Sequence, residues 1–376
     1  MPTVSILVTT FNRTDVLRRA LRSVVQQTFK DFEVIVIDDA SSQDTESVIR
    51  KINDPRIRLI RNKVNVGQLR GDRAHIKRFV DDLCNGQYFV YLCDDDYWLQ
   101  NDLLERQVRA FELYPGVAFV QGGQLSNMMR KNDDAQELAC CEQDLRNIFD
   151  FEAKKPKSNQ FYFHTSLKNH EYSLFSTWYL TSKQYLQEFC EEPTSKNIIV
   201  GATLYNLKIF KKSGTFRSSH GSKWQAGYEL LIGPAIFGDV IYINEPCIMV
   251  EVKETNASFQ RTQVDHYQDS VISAVLAFQK GLRDFDCPIP APELRRLRSK
   301  AILNLGRIYI TNSVHTMTTG ELGMCSSENL SRLVSPIHHI RNSIRFRILH
   351  FLKWKDFCLT AKYLLSLIRK FSRTLK

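Results

Sequence analysis

Short apolar runs alternate with amphipathic segments over the first 120 residues. Runs of strand length occupy residues 4–8, 32–37, 57–60, 88–92 and 117–120. Apolar residues recur at helical spacing over 14–25, 69–83 and 102–114. Thr14 is predicted to cap the first of these helices, and the arginines within 57–60 predict an edge strand. Strands that alternate with helices predict an α/β fold with a mostly parallel sheet.

The pattern changes beyond residue 126. Residues 127–168 are polar and weakly periodic, which predicts a long loop or lid. Apolar and aromatic runs return at 172–180, and residues 227–242 are predicted to form a helix followed by a strand. Amphipathic patterns at 267–282 and 293–309 predict a helical C-terminal region.

Two of the predicted strands run directly into acidic residues. Asp38 and Asp39 follow the second strand, and Asp94, Asp95 and Asp96 follow the fourth. In open α/β sheets, ligands bind outside the carboxyl ends of the strands. The sequence therefore predicts a ligand site at this edge of the sheet.

The triple aspartate suggests a metal site. Adjacent carboxylates repel one another unless a cation or hydrogen-bond donors offset their charge, and Mn²⁺ and Mg²⁺ prefer oxygen ligands. In an extended backbone Asp94 and Asp96 point to one side and Asp95 to the other. We therefore predict Asp94 and Asp96 as metal ligands; the alternative is an exposed acidic turn that binds nothing.

The distribution of charge and of cysteines indicates which classes of protein the chain does not resemble. The chain of 376 residues carries a formal charge of +10. Residues 335–376 hold ten Lys and Arg against one Asp, which leaves the rest near neutral and disfavours a nucleic-acid-binding body. The nine scattered cysteines form no C-x-x-C motif, and a strand begins within a few residues of Met1. We expect a cytoplasmic protein without a signal peptide or a spanning helix.

Five ordered segments together resemble the family 2 glycosyltransferases, most closely bacterial polysaccharide, lipopolysaccharide and spore-coat type members. They are VSILVTTFNR at 4–13, SVVQQTFKDFE at 23–33, IDDAS at 37–41, NVG at 65–67 and DDD at 94–96. The resemblance implies a GT-A fold, a nucleotide-sugar donor such as a UDP-sugar, a divalent metal and inversion at the anomeric carbon. It also suggests a catalytic domain over 1–260, with a nucleotide-sugar-binding half at 1–121 and an acceptor-binding half at 122–260. The amphipathic patterns predict a helical region at 261–376 after it.

The resemblance also assigns roles to residues of the donor site. It places Thr9 and Phe11 against the base and ribose, and Asp39 as a hydrogen-bond acceptor for the base. Asp94 and Asp95 are expected to bind the nucleotide sugar as well. The family usually has a basic residue after NVG that reaches the diphosphate; this chain departs from the usual stretch, and Arg70 and Arg73 are both candidates.

The general base is harder to assign. Family members usually carry a Glu-Asp pair near the end of the transferase domain, and the corresponding stretch here, 224–231, lacks it. Glu229 is the nearest acid and our predicted base, with a helix surface residue as the alternative role. Asp239 is the second choice.

The C-terminal tail at 343–376 has an apolar stripe at helical spacing and cations around it. Two destinations stay open for this predicted helix: an anionic membrane surface, which would make the protein peripheral on the inner face of the cell membrane, or packing on the catalytic domain or on a second copy in a homo-oligomer. A membrane address would suit a lipid-linked or glycan acceptor.

Other classes of protein fit less well. A nucleotidyltransferase would show a Gly-rich, lysine-bearing loop after the first strand, and a dinucleotide-dependent oxidoreductase would show G-x-G-x-x-G there. This chain has TTFNR instead. The remaining alternative is a degenerate transferase that acts as a membrane-associated scaffold or partner.

Overall fold

A computed structural model describes residues 1–66, 74–126, 136–138, 161–164, 176–193, 199–214, 228–250 and 274–318. For residues 74, 75, 136–138, 161–164, 176 and 306–318 only the backbone is described. The predicted tail at 343–376 lies outside these ranges.

Eleven strands of the described part form one sheet. They are β1 (Val4–Thr10), β2 (Phe32–Asp38), β3 (Ile57–Arg61), β4 (Tyr88–Cys93), β5 (Asp96–Trp98), β6 (Val117–Ser126), β7 (Gln136–Leu138), β8 (Phe161–His164), β9 (Ser176–Leu180), β10 (Thr203–Asn206) and β11 (Asp239–Val250). The main order is β3-β2-β1-β4-β10-β6-β11-β5, with β8 and β9 added beside β6 and β11 and β7 beside β8.

The N-terminal part of the sheet is parallel and brings three strand ends together. Strand β1 lies between β2 and β4, with Thr10 paired to Asp38 and Thr9 paired to Cys93. All three strands consist mainly of buried apolar residues, as expected for parallel strands in a sheet whose two faces are both covered. Strand β3 lies at the edge next to β2, which confirms the edge prediction.

An antiparallel strand interrupts the parallel order. Strand β10 pairs with β4 on one side and with β6 on the other, and both pairings are antiparallel. Strand β11 then runs parallel to β6, while β5 and β9 pair antiparallel to β11. The mostly parallel α/β sheet predicted from the sequence is confirmed, and its antiparallel insertions are additional.

Helices cover both faces of the sheet. They are α1 (Thr14–Val25), α2 (Thr45–Ile52), α3 (Ala74–Leu83), α4 (Leu103–Leu113), α5 (Ser182–Glu191), α6 (Leu207–Ser213), α7 (Glu229–Ala235), α8 (274–283) and α9 (Ala291–Thr318), with a 3₁₀ turn at Val200–Ala202. Helices α1, α2 and α4 supply one apolar core, and α3 with α5 to α9 supply the core on the opposite face.

Two local predictions are wrong. The loop predicted over 127–168 contains strands β7 and β8. Thr14 is the first residue of α1 rather than its cap: Arg13 holds the N-cap position without a capping side-chain bond, and the Thr14 amide donates to Gln43 Oε1 at 2.9 Å. The helical character predicted for the C-terminal region is confirmed where it is described, at 274–283 and 291–318. Among the described helices, none combines the length and apolar character needed to cross a bilayer.

Candidate functional site

The carboxyl ends of β1, β2 and β4 form one concentrated polar site. Thr9 is paired along the sheet and its hydroxyl lies 2.7 Å from the Tyr91 hydroxyl. Two residues later Phe11 leaves the sheet, and its ring is 45% exposed. An exposed aromatic ring beside a polar strand edge is suited to stacking on a planar group.

Asp39 follows β2 and organises the loop after β3. Its amide donates to the Thr10 carbonyl at 2.9 Å. Its Oδ1 accepts from Asn62 Nδ2 at 2.7 Å and from the Val66 amide at 3.0 Å, and Asn65 Nδ2 donates to its carbonyl at 3.1 Å. The half-buried carboxylate thus ties the loop from 62 to 66 to the end of β2.

Asp38 has a different environment from its neighbour. It is fully buried, and its Oδ1 accepts from the Ser41 amide at 2.9 Å. Its Oδ2 lies 3.7 Å from Arg61 Nε at the end of β3. Asp38 therefore holds the loop after β2 together, while Asp39 reaches the loop after β3.

Asp94 is the most enclosed member of the triple aspartate. Thr10 Oγ1 donates to its Oδ2 at 2.7 Å. Burial, and then the neighbouring Asp95, raise the pKa of Asp94 to about 6, against the opposing effect of Thr10 and Arg13. The site thus holds a carboxylate whose charge is costly without a nearby cation.

Arg13 supplies such a cation from the beginning of α1. Its NH1 donates to Asp95 Oδ2 at 2.8 Å and lies 3.4 Å from Asp94 Oδ1. The guanidinium therefore bridges two of the three aspartates from a position 81 residues earlier in the chain.

The backbone at the triple aspartate turns instead of staying extended. Asp94 and Asp95 occupy a turn between β4 and β5, so the predicted alternation of side chains along an extended strand is wrong. The group whose ligand atoms lie within 4.8 Å of one another is Cys93, Asp95 and Asp96. The turn brings Asp95 and Asp96 together, whereas Asp94 contacts Thr10 and Arg13.

Asp96 is held in place by strand pairing. It is the first residue of β5 and pairs with Val250 of β11. Two residues on, Trp98 Nε1 donates to the Gly201 carbonyl at 2.7 Å. A Cβ on Gly201 would collide with Ile248 of β11 at 2.5 Å and would lie 3.7 Å from Asp96 Oδ2, so the 3₁₀ turn packs closely against both β11 and β5.

Glu229 lies apart from this cluster. It is the first residue of α7 and only 8% exposed, so the alternative role as a surface residue is wrong. It lines a small cavity whose other lining residues are Ser213, Gly214, Gly233, Leu276, Ala277 and Lys280. None of the three aspartates lines that cavity, and the role of Glu229 as general base stays a prediction. The second choice, Asp239, accepts from the Ser182 amide at 2.7 Å and from the Tyr179 hydroxyl.

The two candidate arginines for the diphosphate, Arg70 and Arg73, lie outside the described residues. The described chain stops at Val66, which Asp39 holds, and resumes in α3. Their assignment therefore stays a prediction.

Comparison with known proteins agrees with this arrangement. Residues 5–214, more than half of the chain, match the profile of glycosyl transferase family 2. The chain belongs to glycosyltransferase family 2. The match covers β1 through α6, and hence all the acidic strand ends described above.

Two curated relatives of this family 2 glycosyltransferase are bacterial. A GalNAc(5)-diNAcBac-PP-undecaprenol beta-1,3-glucosyltransferase of Campylobacter jejuni is 36% identical over 119 residues, which are 31% of this chain and 37% of that protein. The UDP-Glc:alpha-D-GlcNAc-diphosphoundecaprenol beta-1,3-glucosyltransferase WfaP of Escherichia coli is 34% identical over 99 residues, 26% of this chain and 38% of that protein. The chain therefore spans little more than a third of the length of each relative.

The fold is shared with a solved structure. The crystal structure of S. aureus TarS 1-349 has a TM-score of 0.55 at 13% identity and covers 92% of this chain and 81% of that chain. This likeness confirms the GT-A fold that the resemblance implied.

Three residues of the site in this family 2 glycosyltransferase were missed by the sequence reasoning. Thr10 and Arg13 both contact Asp94, and Cys93 joins the group with Asp95 and Asp96. The sequence held a partial signal, because β1 was predicted to lie in the same sheet as the strand before the aspartates. Placing Arg13 next to Asp95 required the strand order, which the sequence pattern did not provide.

Proposed function

We propose that this family 2 glycosyltransferase transfers a sugar from a UDP-sugar to a hydroxyl group of a lipid-linked glycan in the synthesis of a bacterial surface polysaccharide or glycolipid. The observation that carries the proposal is the gathering of Phe11, Asp39 and the three aspartates at adjoining strand ends. The names of both relatives describe glucosyl transfer to undecaprenol diphosphate-linked sugars.

The donor would lie across the ends of β1 and β2. Phe11 offers an exposed ring for the base, and the Asp39 carboxylate offers an acceptor for the N–H edge of uracil. Asp39 is held in place by Asn62 and Val66, so it need not be ordered when the nucleotide binds. TarS, which shares the fold, has been crystallised with UDP-GlcNAc, which supports a UDP-sugar as the donor here.

The acidic group suits a divalent cation. Asp95 and Asp96 would hold Mn²⁺ or Mg²⁺ through carboxylate oxygens, and two protein carboxylates leave coordination positions for diphosphate oxygens. When bound, the cation would offset the charge that develops on the leaving nucleoside diphosphate. Asp94, predicted as a ligand, would contribute negative charge from its place beside Thr10.

The acceptor side of the reaction rests on fewer observations. An inverting transfer needs a base within hydrogen-bond reach of the acceptor hydroxyl, and Glu229 keeps that predicted role. Docking of the tail at 343–376 on the inner face of an anionic membrane would place the enzyme near a lipid-linked acceptor. Both assignments belong to the proposal.

Replacing Asp96 tests the donor half of the proposal. We expect the purified wild-type protein to bind UDP in the presence of Mn²⁺ and to hydrolyse or transfer from a UDP-sugar. Asp96→Asn should reduce turnover at least about 100-fold, because a metal carboxylate supplies several kcal/mol of charge stabilisation. Calorimetric UDP binding with Mn²⁺ and with EDTA measures the metal-dependent part.

Asp286→Asn is the matched control, because the substitution removes the same charge from a side chain that is 90% exposed and lies elsewhere. Wild-type protein that binds no nucleoside diphosphate with Mn²⁺ and cleaves no sugar nucleotide would refute catalysis. That result would favour the degenerate scaffold instead. Equal turnover in Asp96→Asn and Asp286→Asn would remove Asp96 from the site.

A further inference from the structure

Arg13 contacts the acidic group, but the proposed reaction assigns it no role. Its guanidinium donates to Asp95 at 2.8 Å and also approaches Asp94, yet the side chain remains 42% exposed. Asp95 also belongs to the group with Cys93 and Asp96 that suits a divalent cation. Asp95 is thus shared between the Arg13 guanidinium and the divalent cation proposed for this group.

Electrostatics make these two cations competitors. A guanidinium on Asp95 stabilises the carboxylates in the absence of metal, because like charges in a turn repel one another. A divalent cation bound to the same carboxylate would lie within a few ångström of that guanidinium, where the repulsion between them is substantial. The two arrangements favour different positions of the Arg13 side chain.

The backbone around Arg13 allows the side chain to move alone. Asn12 has a left-handed conformation with φ of 52°. Its Oδ1 accepts from the Ser42 amide at 2.7 Å and its amide donates to Ser41 Oγ at 2.9 Å. Since these bonds anchor the backbone next to Arg13, Arg13 can change its contacts by a rotation of its exposed side chain without a shift of the loop.

A diphosphate is the natural second partner for Arg13. The residue follows Phe11 and Asn12 at the strand edge where the proposed nucleotide lies. A guanidinium matches phosphate oxygens in a bidentate manner, and 42% of the Arg13 side chain is exposed and so accessible to a ligand. The diphosphate would also bring the negative charge that allows Arg13 and the metal to approach each other.

We propose that Arg13 is a placeholder cation: it bridges Asp94 and Asp95 before the metal arrives, and moves from Asp95 onto the diphosphate when the metal and nucleotide bind. This inference rests on the proposed function: its first step needs the proposed metal site alone, and its second step also needs the nucleotide.

The test compares Arg13→Gln with Arg22→Gln, a control that removes the same charge from an exposed position in the last turn of α1. Mn²⁺ binding is titrated by electron paramagnetic resonance of the full chain without nucleotide. We expect Arg13→Gln to bind Mn²⁺ about three- to tenfold more tightly than wild type, and UDP with saturating Mn²⁺ about tenfold more weakly. Arg22→Gln should match wild type in both measurements.

A Mn²⁺ affinity in Arg13→Gln that equals or falls below wild type would overturn the placeholder role. Unchanged UDP affinity would overturn the transfer to the diphosphate. Arg13→Lys guards against a folding defect: it keeps the charge without the planar fork, so Mn²⁺ affinity should stay near wild type while UDP affinity falls. Wild-type protein that binds Mn²⁺ but no UDP would refute the proposed function, and the nucleotide-free titration would still decide the first step.

Discussion

Two clusters in this protein pair carboxylates with arginine, and they differ in what surrounds them. Glu245 in β11 is 5% exposed and contacts Arg106 of α4, while Gln100 Nε2 donates to its second oxygen at 3.1 Å. The cluster of Arg13, Asp94 and Asp95 has two acids for one base. It lies at the carboxyl ends of β1 and β4. In the first cluster protein side chains balance the charge of Glu245 and bond both of its oxygens. In the second, one arginine faces two carboxylates and leaves a net negative charge.

The difference shows how an ion pair in a binding site can be told from a structural one. Both carboxylates are buried, so burial alone does not separate them. Glu245 accepts from Arg106 of α4 through one oxygen and from Gln100, in the loop before that helix, through the other. Asp94 has one hydroxyl and a share of one guanidinium, which do not offset the effect of burial and of Asp95 that raises its pKa. A cluster with net charge at the carboxyl ends of the strands indicates a ligand site. A cluster whose charges balance indicates a structural ion pair.

The largest expected effect concerns the structural cluster. Glu245→Ala should lower the free energy of unfolding by about 3 kcal/mol, because a buried partner of Arg106 is lost. Urea denaturation measures this change, and UDP affinity below the unfolding transition should stay unchanged. Asp102→Ala removes the other acid near Arg106, an exposed one at 4.0 Å, and should cost less than about 1 kcal/mol. Equal losses in the two variants would show that Glu245 stabilises the fold no more than an exposed acid does, and that its cluster is not a structural one.

The next effect concerns the pH dependence of the open cluster. The pKa of Asp94 is about 6 in the folded protein against an ordinary value of 3.8, so the folded state binds more protons between these values. Stability of the metal-free protein should therefore fall as pH rises from about 4 to 6. Asp94→Asn in EDTA should be more stable than wild type at pH 7.5, by at most about 3 kcal/mol, and the advantage should shrink towards pH 4. A variant less stable than wild type at pH 7.5 would show that Asp94 is already balanced.

Glu229 is another buried carboxylate, and a variant can assign it to one side of the comparison. As the proposed general base it should contribute about 100-fold or more to kcat, so we expect Glu229→Gln to lower kcat by that factor with an unchanged melting temperature. Its side chain is buried in a cavity that Lys280 also lines. A lower melting temperature with a loss of kcat below about tenfold would show that Glu229 has a structural role and is not the base.

The smallest expected effect concerns the open side of the acidic cluster. Phe11→Ala should weaken binding of UDP and of uridine alike, by about tenfold, since stacking on a base is worth roughly 1–3 kcal/mol. Stability should change little because the ring is half exposed. Weaker UDP binding with unchanged uridine binding would place Phe11 near the phosphates instead of the base.

The sequence predicted the parts of the fold that depend on local pattern. Strands β1, β2 and β4 were found because each is a continuous apolar run, and Asp39 and the three aspartates were placed at strand ends for the same reason. Strand β10 was not found, since four residues carry little periodicity and its two antiparallel pairings depend on partners far away in the chain.

The interior of the candidate site was harder to predict than its location. A turn after Cys93 replaced the assumed extended strand, which changed the side chains that approach one another. Arg13 and Asp94 are 81 residues apart, and Arg106 and Glu245 are 139 apart. No local pattern distinguishes these two arginines from the other arginines near them in the sequence.

Strand β10 has a consequence for how the chain is made. During synthesis β4 and β6 emerge well before residues 203–206, which must insert between them. Until then each strand has an open edge of the kind that pairs with foreign strands. The nascent protein thus depends on late insertion to close its sheet, and a chain truncated at residue 121 would be expected to aggregate when expressed alone.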